Sequence, residues 1–414
     1  MKRRVVVTGL GAITPVGNDV ATAWAALLAG KSGAGPITHF DASAFEVRFA
    51  CEVKGFDPLQ YMDRKEAKRA DAYAQYAIAA ASQAMQDAGF GEGTGYDPDR
   101  TGVIVGSGIG GLRTFEEQHD QYKSRGASKI SPFFIPMFIA DIAAGLISMQ
   151  WQAKGPNYAT VSACATSGHA IGDSYRAIQY GDADIMITGG SEATVTAMAI
   201  GGFTNMKALS ERNDEMMTAS RPFDATRDGF VMGEGGAVVV IEELEHAKKR
   251  GARIYAEVAG YGATGDAYHL TSPAPEGEGA QRAMRRALAD AGVAPKDIQY
   301  INAHGTSTQA NDLNETKAIK AVFGEAARTV NVSSTKSSTG HMLGAAGAVE
   351  FLICSLAVQQ GKIPPTINYH TPDPECDLNY TPNKAVDRTV KVALSNSFGF
   401  GGHNVALAVK RYEG

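Results

Sequence analysis

Little in this chain supports a disulfide framework, because its four cysteines, Cys51, Cys164, Cys354 and Cys376, are scattered and form no CxxC pair. Metal-ligand spacing is missing too, and a reducing compartment suits the pattern best. A surplus of either charge is also lacking: 39 Lys and Arg against 44 Asp and Glu leave a net charge of −5, which argues against a general nucleic-acid binder. The opening MKRRVVVTGLGAITPVG carries basic residues but only a short apolar strand before glycine, so it reads as neither a signal peptide nor a membrane span. The expectation is a cytoplasmic protein with no nucleic-acid and no membrane partner.

Glycine and length are what the chain has in plenty. Its 414 residues exceed what one hydrophobic core serves, and 47 glycines predict tight turns and close backbone approaches. Self-similarity then organises the whole. The helical AAASQAMQDAG ending at Gly89 resembles QRAMRRALADAG ending at Gly292, and each leads into a strand, TGVIVGSGIGG from Thr101 and QYINAHGTST from Gln299. VSACATSGHAIG from Val161 resembles VSSTKSSTGHMLG from Val332, with one residue inserted. ADIMITGGSEA pairs with VALSNSFGFGG, GAVVVIEE with NVALAVKR, and VVVTGLGAIT with YAEVAGYGAT. Five strands per half, several of them continuous and apolar, predict two packed mixed sheets covered by helices, residues 1–250 forming one half and 251–414 the other. Insertions fall in the first half, around residues 20 to 70, 112 to 158 and 194 to 234.

Equivalent strand ends from two such halves converge at the seam, so chemistry is sought there. Cys164 stands where a buried strand is expected to turn into a helix, and a helix N-terminus favours thiolate over thiol. The second half brings His304 in NAHGTST and His341 in KSSTGHMLG, both just beyond a strand, and Phe400 between glycines in SFGFGGHN. A lone cysteine among alanines is usually a small core residue, and a lone histidine usually structural. Two histidines on repeat-equivalent strand ends shift that balance toward function.

These same stretches carry a family resemblance. SACATSGHAIG, RPFDATRDGFVMGEGGA, AHGTST, KSSTGH and GFGGHN resemble β-ketoacyl-acyl-carrier-protein synthases of the elongating type, in the thiolase superfamily, over nearly the whole chain. Glycine after His304 favours type II. The resemblance implies a thiolase-like α/β fold of duplicated halves in αβαβα layers, and decarboxylative condensation of a malonyl thioester with an acyl group held on Cys164. It makes His304 and His341 the catalytic pair, Lys336 the accompanying lysine paired with Glu350, and Thr306 and Thr308 the contacts for the phosphopantetheine arm. Ile109, Phe134 and Phe203 are implied to line an acyl tunnel, Phe134 across a homodimer interface. No cofactor is implied beyond the phosphopantetheine of acyl carrier protein, which is the expected partner. Two departures, AHGTSTQAND and GGHN, touch no role-bearing atom.

The chemistry agrees with that assignment. A thiolate that accepts the acyl group separates acyl transfer from bond formation. Two neutral imidazoles can each donate one N–H to the enolate left when carbon dioxide departs. Backbone N–H groups of Cys164 and Phe400 would hold a second oxyanion, with Phe400 as a movable gate. Lys336 is expected to face inward and to need a partner. For carrier docking, MDRKEAKRADAYAQYA puts Arg64, Lys65, Lys68 and Arg69 at helical spacing, and resemblance adds Lys207.

Rival readings are weaker. Gly106, Gly108 and Gly111 satisfy GxGxxG after a strand, yet a charged stretch follows instead of a second strand ending in an acid, which disfavours a nicotinamide-dependent oxidoreductase. A biosynthetic thiolase would carry a second cysteine near GFGGHN, and Cys164 argues against a non-catalytic chain-length factor. A polyketide-type ketosynthase of the same fold stays open as an alternative pathway.

Overall fold

The repeat is carried into the strands. In the computed structural model, which describes residues 2–414, the first half contributes β1 (Val5–Ile13), β2 (Thr101–Gly106), β3 (Asn157–Tyr158), β4 (Ile185–Glu192) and β5 (Gly235–Glu243). The second contributes β6 (Ala256–Gly265), β7 (Tyr300–Asn302), β8 (Asn331–Ser333), β9 (Val392–Gly399) and β10 (His403–Lys410). From the outer edge inward the order is β3-β2-β4-β5-β1 in one half and β8-β7-β9-β10-β6 in the other. Pairing senses match as well: the outer three strands of each series run parallel, and the remaining pairs are antiparallel.

One expectation needs correction. The halves do not form two separate sheets, because β1 pairs antiparallel with β6 through Val5 and Val258, Val6 and Glu257, and Val7 and Ala256, giving one ten-stranded ladder. β1 is buried along its whole length, so a free edge there would strand backbone donors and acceptors away from water. Pairing with β6 meets that need along Val5–Val7, and farther on the Leu10 and Ala12 N–H groups donate to Asp87 and Gln83 at 3.0 Å each.

The helices follow from where the apolar faces need cover. Among them are α1 (Ala72–Asp87), α2 (Leu112–Arg125), α3 (Phe134–Phe138), α4 (Ile142–Trp151), α5 (Thr166–Tyr180), α6 (Glu278–Ala291), α7 (Gln309–Phe323) and α8 (Ala346–Gln360). α1 packs on β1, β5 and β4, and α6 on β6 and β10, while α5 and α8 touch strands of both halves. The layering is therefore αβαβα. The outer helices sit unusually close because the first strand of each half carries a GxG pair: a Cβ on Gly9 or Gly11 would lie 2.1 or 1.9 Å from a carbonyl of α1, and one on Gly260 or Gly262 would lie 2.2 or 2.0 Å from a carbonyl of α6. Leu343–Gln360 is long and apolar enough to cross a membrane, but 89% of it is buried inside the protein. It is the central core helix, which explains an apolar surface on every side.

Candidate active site

The strand leading to Cys164 differs from expectation. β3 is two exposed residues rather than a buried strand, since it forms the open edge of the sheet and Val161 just after it is 61% exposed. The chain then bends through Ala163, with φ of 50°, into a single 3₁₀ turn that places Cys164 immediately before α5. Gly399 at the end of β9 makes this approach possible: a Cβ there would lie 2.8 Å from the Ser162 carbonyl and 3.1 Å from the Cys164 nitrogen. The Phe400 backbone N–H, next in the chain, favours the ionised form of the Cys164 sulfur. Gly401 and Gly402, with φ of 85° and 75°, close the turn back into β10. That turn is tied to a neighbouring loop, Gly401 N–H donating to the Leu270 carbonyl at 2.7 Å and Asp266 N–H to the Gly402 carbonyl at 2.9 Å.

His304 leaves the end of β7 and His341 follows β8, so the second half delivers both imidazoles to the sulfur held by the first. His341 Nε2 lies 3.1 Å from Cys164 Sγ, and the two imidazole rings are 5.3 Å apart at an interplanar angle of 83°. One donor atom each from Cys164, His304 and His341 falls within 4.8 Å of the others. Burial, reinforced by the Lys336 ammonium, holds both histidines well below the usual imidazole range, so they are neutral at physiological pH. Lys336 is itself buried and bonded to Glu350, whose carboxyl burial pushes up to about 7.

The expected thiolate is not the resting state. Burial pushes the Cys164 thiol up to about 12; Lys336 and the Phe400 N–H pull the other way and do not prevail. Desolvation outweighs the helix terminus. A nucleophilic attack by this sulfur would have to shed its proton, and His341 Nε2 stands 3.1 Å away.

Two buried glutamates that sequence reasoning passed over hold the site together. Glu192, at the end of β4, accepts from Ser107 Oγ at 2.9 Å, Gly108 N–H at 2.9 Å, Ile109 N–H at 3.2 Å and Gly344 N–H at 3.0 Å. It thereby ties the loop bearing Ile109 to the turn that follows His341. Glu315 on α7 accepts from the backbone N–H groups of His304 at 2.9 Å and Gly305 at 2.8 Å. Burial pushes each carboxyl up to about 7. Their signal in the sequence was an acid closing an apolar strand, ITGGSE, and an acid on the inward face of the helix after AHGTST.

RPFDATRDGF and VMGEGG act as buttresses. Arg221 N–H donates to Ser307 Oγ at 3.0 Å, and Asp312 accepts from Phe223 N–H at 2.8 Å and Ser307 N–H at 3.3 Å. Buried Arg227 reaches the carbonyls of Thr308 and Gln309 at 3.3 Å each. His341 is gripped on both sides, its N–H donating to the Val231 carbonyl at 2.7 Å and its carbonyl accepting from Gly233 at 2.9 Å.

A cavity of about 310 Å³ runs from this cluster to the surface, walled by Ile109, Phe203, Thr306, Thr308 and Phe400 among others. Thr306 and Thr308 present hydroxyls 2.9 Å apart. Glu350 is not on this wall; it is buried in the expected pair with Lys336 and does not line the substrate cavity. Phe134 is not on it either; within its own chain it packs on Phe138 and Phe115 in the insertion between β2 and β3.

The basic run also departs from the expected helix. Only Arg64–Ala67 is helical, capped by Asp63 and Glu66, so the second pair of the expected stripe is broken. Arg64, Lys65, Lys68 and Arg69 are all exposed, and the Arg69 guanidinium lies 4.0 Å from the centre of the Phe133 ring. Lys207 already pairs with Glu46 at 3.1 Å and Glu211 at 3.2 Å.

Comparison with known proteins agrees with this geometry. Residues 2–247 match the N-terminal domain of beta-ketoacyl synthases and residues 255–370 the C-terminal domain. The chain is 55% identical over 413 residues to a 3-oxoacyl-[acyl-carrier-protein] synthase 2 of Staphylococcus aureus, covering 99% of each. It is 53% identical over 412 residues to one of Synechocystis, covering 100% of this chain and 99% of the other. A solved type II polyketide ketosynthase in complex with its acyl-carrier protein superposes with a TM-score of 0.92 at 36% identity, over the full length of both chains. With Cys164 in one matched domain and His304 and His341 beyond the equivalent strands of the other, the chain belongs to the beta-ketoacyl synthase family.

Proposed function

We propose that this protein is a 3-oxoacyl-[acyl-carrier-protein] synthase of type II, which lengthens a fatty acyl chain by two carbons. The observation that carries the reading is the meeting of Cys164, His304 and His341 at the buried end of one cavity. In the first half-reaction the Cys164 sulfur attacks an acyl thioester, its proton passes to His341 Nε2, and the carrier's thiol leaves with that proton. Backbone N–H groups of Cys164 and Phe400 hold the tetrahedral oxyanion. In the second, malonyl thioester enters along Thr306 and Thr308 and loses carbon dioxide. Its enolate oxygen is held by N–H donors of neutral His304 and of His341, whose proton moves from Nδ1 to Nε2 between the half-reactions, and its carbon attacks the acyl group on sulfur. The 3-oxoacyl thioester departs, and the Cys164 thiolate regains a proton from solvent. Lys336 keeps the imidazoles neutral without touching substrate. No resident cofactor enters this scheme.

Acyl carrier protein is the partner this reading requires, docking on Arg64, Lys65 and Lys68, with Arg69 and Lys207 as lesser contacts. Support for a homodimer comes from the open β3 edge together with exposed Ile135, Met149 and Val161 nearby in the chain. A second copy would cover them and bring Phe134 to its neighbour's tunnel. Four free, buried cysteines suit a cytoplasmic setting. The greater identity to fatty-acid synthases than to the polyketide enzyme favours the housekeeping pathway.

Mass spectrometry after incubation with acyl carrier proteins bearing different chains tests the reading. An acyl group on Cys164 that malonyl carrier protein then converts to a product two carbons longer is expected; no acylation of Cys164 would overturn it.

A further inference from the structure

We propose that Cys164, His304 and His341 also form a binding site for one borderline-soft divalent cation, of which zinc is the representative, and that metal and acyl group exclude each other there. The donor atoms are already gathered: sulfur and one nitrogen from each ring lie within 4.8 Å of one another, all three residues are buried, and the His341 Nε2 to Sγ distance is 3.1 Å. Around a tetrahedral zinc, with bonds of about 2.3 Å to sulfur and about 2.0–2.1 Å to nitrogen, donor atoms sit roughly 3.3–3.7 Å apart. The triad reaches that spacing by adjustments of about 1 Å, within side-chain rotation.

Chemistry selects the cation. One thiolate and two imidazoles suit zinc, cobalt(II) or cadmium and reject magnesium and calcium, which demand oxygen ligands. A fourth position faces the cavity, which is walled by the same three residues and has room for a water ligand. The nearby Lys336 ammonium opposes a cation, but it is bonded to Glu350, and the Glu192 carboxylate lies on the cavity wall. The step balances without redox: the metal displaces one proton from the Cys164 thiol to solvent, and both imidazoles bind through lone pairs with no change in proton count.

Two consequences follow for the protein. Metal on the sulfur removes the nucleophile, giving reversible inhibition of acyl loading. A thioester sulfur is a poor ligand, so the acylated enzyme resists the metal. Binding itself does not rest on the proposed condensation and is read separately.

The full-length protein is titrated with cobalt(II), followed by absorption and calorimetry. One equivalent per chain is expected, with a thiolate charge-transfer band and tetrahedral visible bands. Zinc should displace it and slow iodoacetamide labelling of Cys164 at least tenfold, and a chelator should restore labelling. Cys164→Ser should abolish the charge-transfer band, and His341→Ala should weaken binding at least tenfold. Circular dichroism confirms that each variant is folded, and should either fail, protection of Cys164 in the unmodified protein decides. A band that survives Cys164→Ser, or labelling that zinc does not slow, would overturn the proposal.

Discussion

The two halves share a topology and divide the chemistry between them. In the first, the outermost strand β3 is two exposed residues and leads to Cys164; in the second, its equivalent β8 is wholly buried and leads to Lys336 and His341. Each half also pins the loop after its second strand, β2 or β7, with a buried glutamate that accepts backbone N–H groups. The first takes Glu192 from the end of a strand, the second Glu315 from a helix. The strands leading to the site thus differ in exposure, yet they deliver Cys164, His304 and His341 to one buried cluster, where burial raises the thiol and keeps the imidazoles neutral. Duplication supplied two equivalent positions, and the side chain placed at each separated their roles.

The largest test of this division removes one half's contribution at a time. Cys164→Ala should abolish condensation while leaving slow malonyl decarboxylation, whereas His341→Ala should depress decarboxylation itself by on the order of 100- to 1000-fold. Product analysis with malonyl carrier protein reads both. Normal decarboxylation in His341→Ala would break the comparison.

The glutamates sharpen it further. Glu315→Gln frees the backbone on both sides of the His304 peptide, and a misplaced donor should lower kcat by on the order of 100-fold with little change in KM for the acyl carrier. Glu192→Gln frees the loop bearing Ile109 and should instead alter chain-length preference, by roughly tenfold between long and short acyl groups. Equal effects of the two substitutions on both readouts would show that the clamps are not specialised.

Resting protonation gives the next test. With the Cys164 thiol pushed up to about 12, only a small thiolate fraction exists at neutral pH, and it grows as pH rises. Iodoacetamide alkylation of the free enzyme should therefore climb about tenfold per pH unit from 7 to 10 without a plateau. A plateau near neutrality would restore the ion-paired thiolate.

The smallest expected effect lies on the surface, where the proposed docking residues come only from the first half. Lys65→Glu and Lys68→Glu should each raise KM for carrier-bound substrates by about two- to fivefold, less so as salt shortens the screening length to about 8 Å at physiological ionic strength, and spare small pantetheine thioesters. Arg69→Ala should do less, since its guanidinium is stacked on Phe133.

Legibility in the sequence tracked the physical kind of signal. Strand order was readable because apolar runs such as VVVTGLGAIT and YAEVAGYGAT repeat, and with it came Cys164, His304 and His341 at the seam. The β1–β6 joint was not, since which edges meet depends on packing between distant segments. Thiol protonation was missed because helix position is local, whereas desolvation reflects everything around the sulfur. Arg69 followed helical spacing on paper, but a four-residue helix ends before reaching it. Glu192 and Glu315 left only the faint mark of acids in apolar company.

The three-pair joint between β1 and β6 has a consequence for synthesis on the ribosome. Val5 finds its partner at Val258, and at about 5–20 residues per second roughly 13–50 s pass between their appearance. From the synthesis of β5 until β6 and β10 appear, α5 has the strands of its own half on one side and none on the other. The nascent chain therefore leaves an apolar helix face uncovered until its last strand is made, and destabilising changes near the C-terminus should appear first as insoluble protein rather than as slow enzyme.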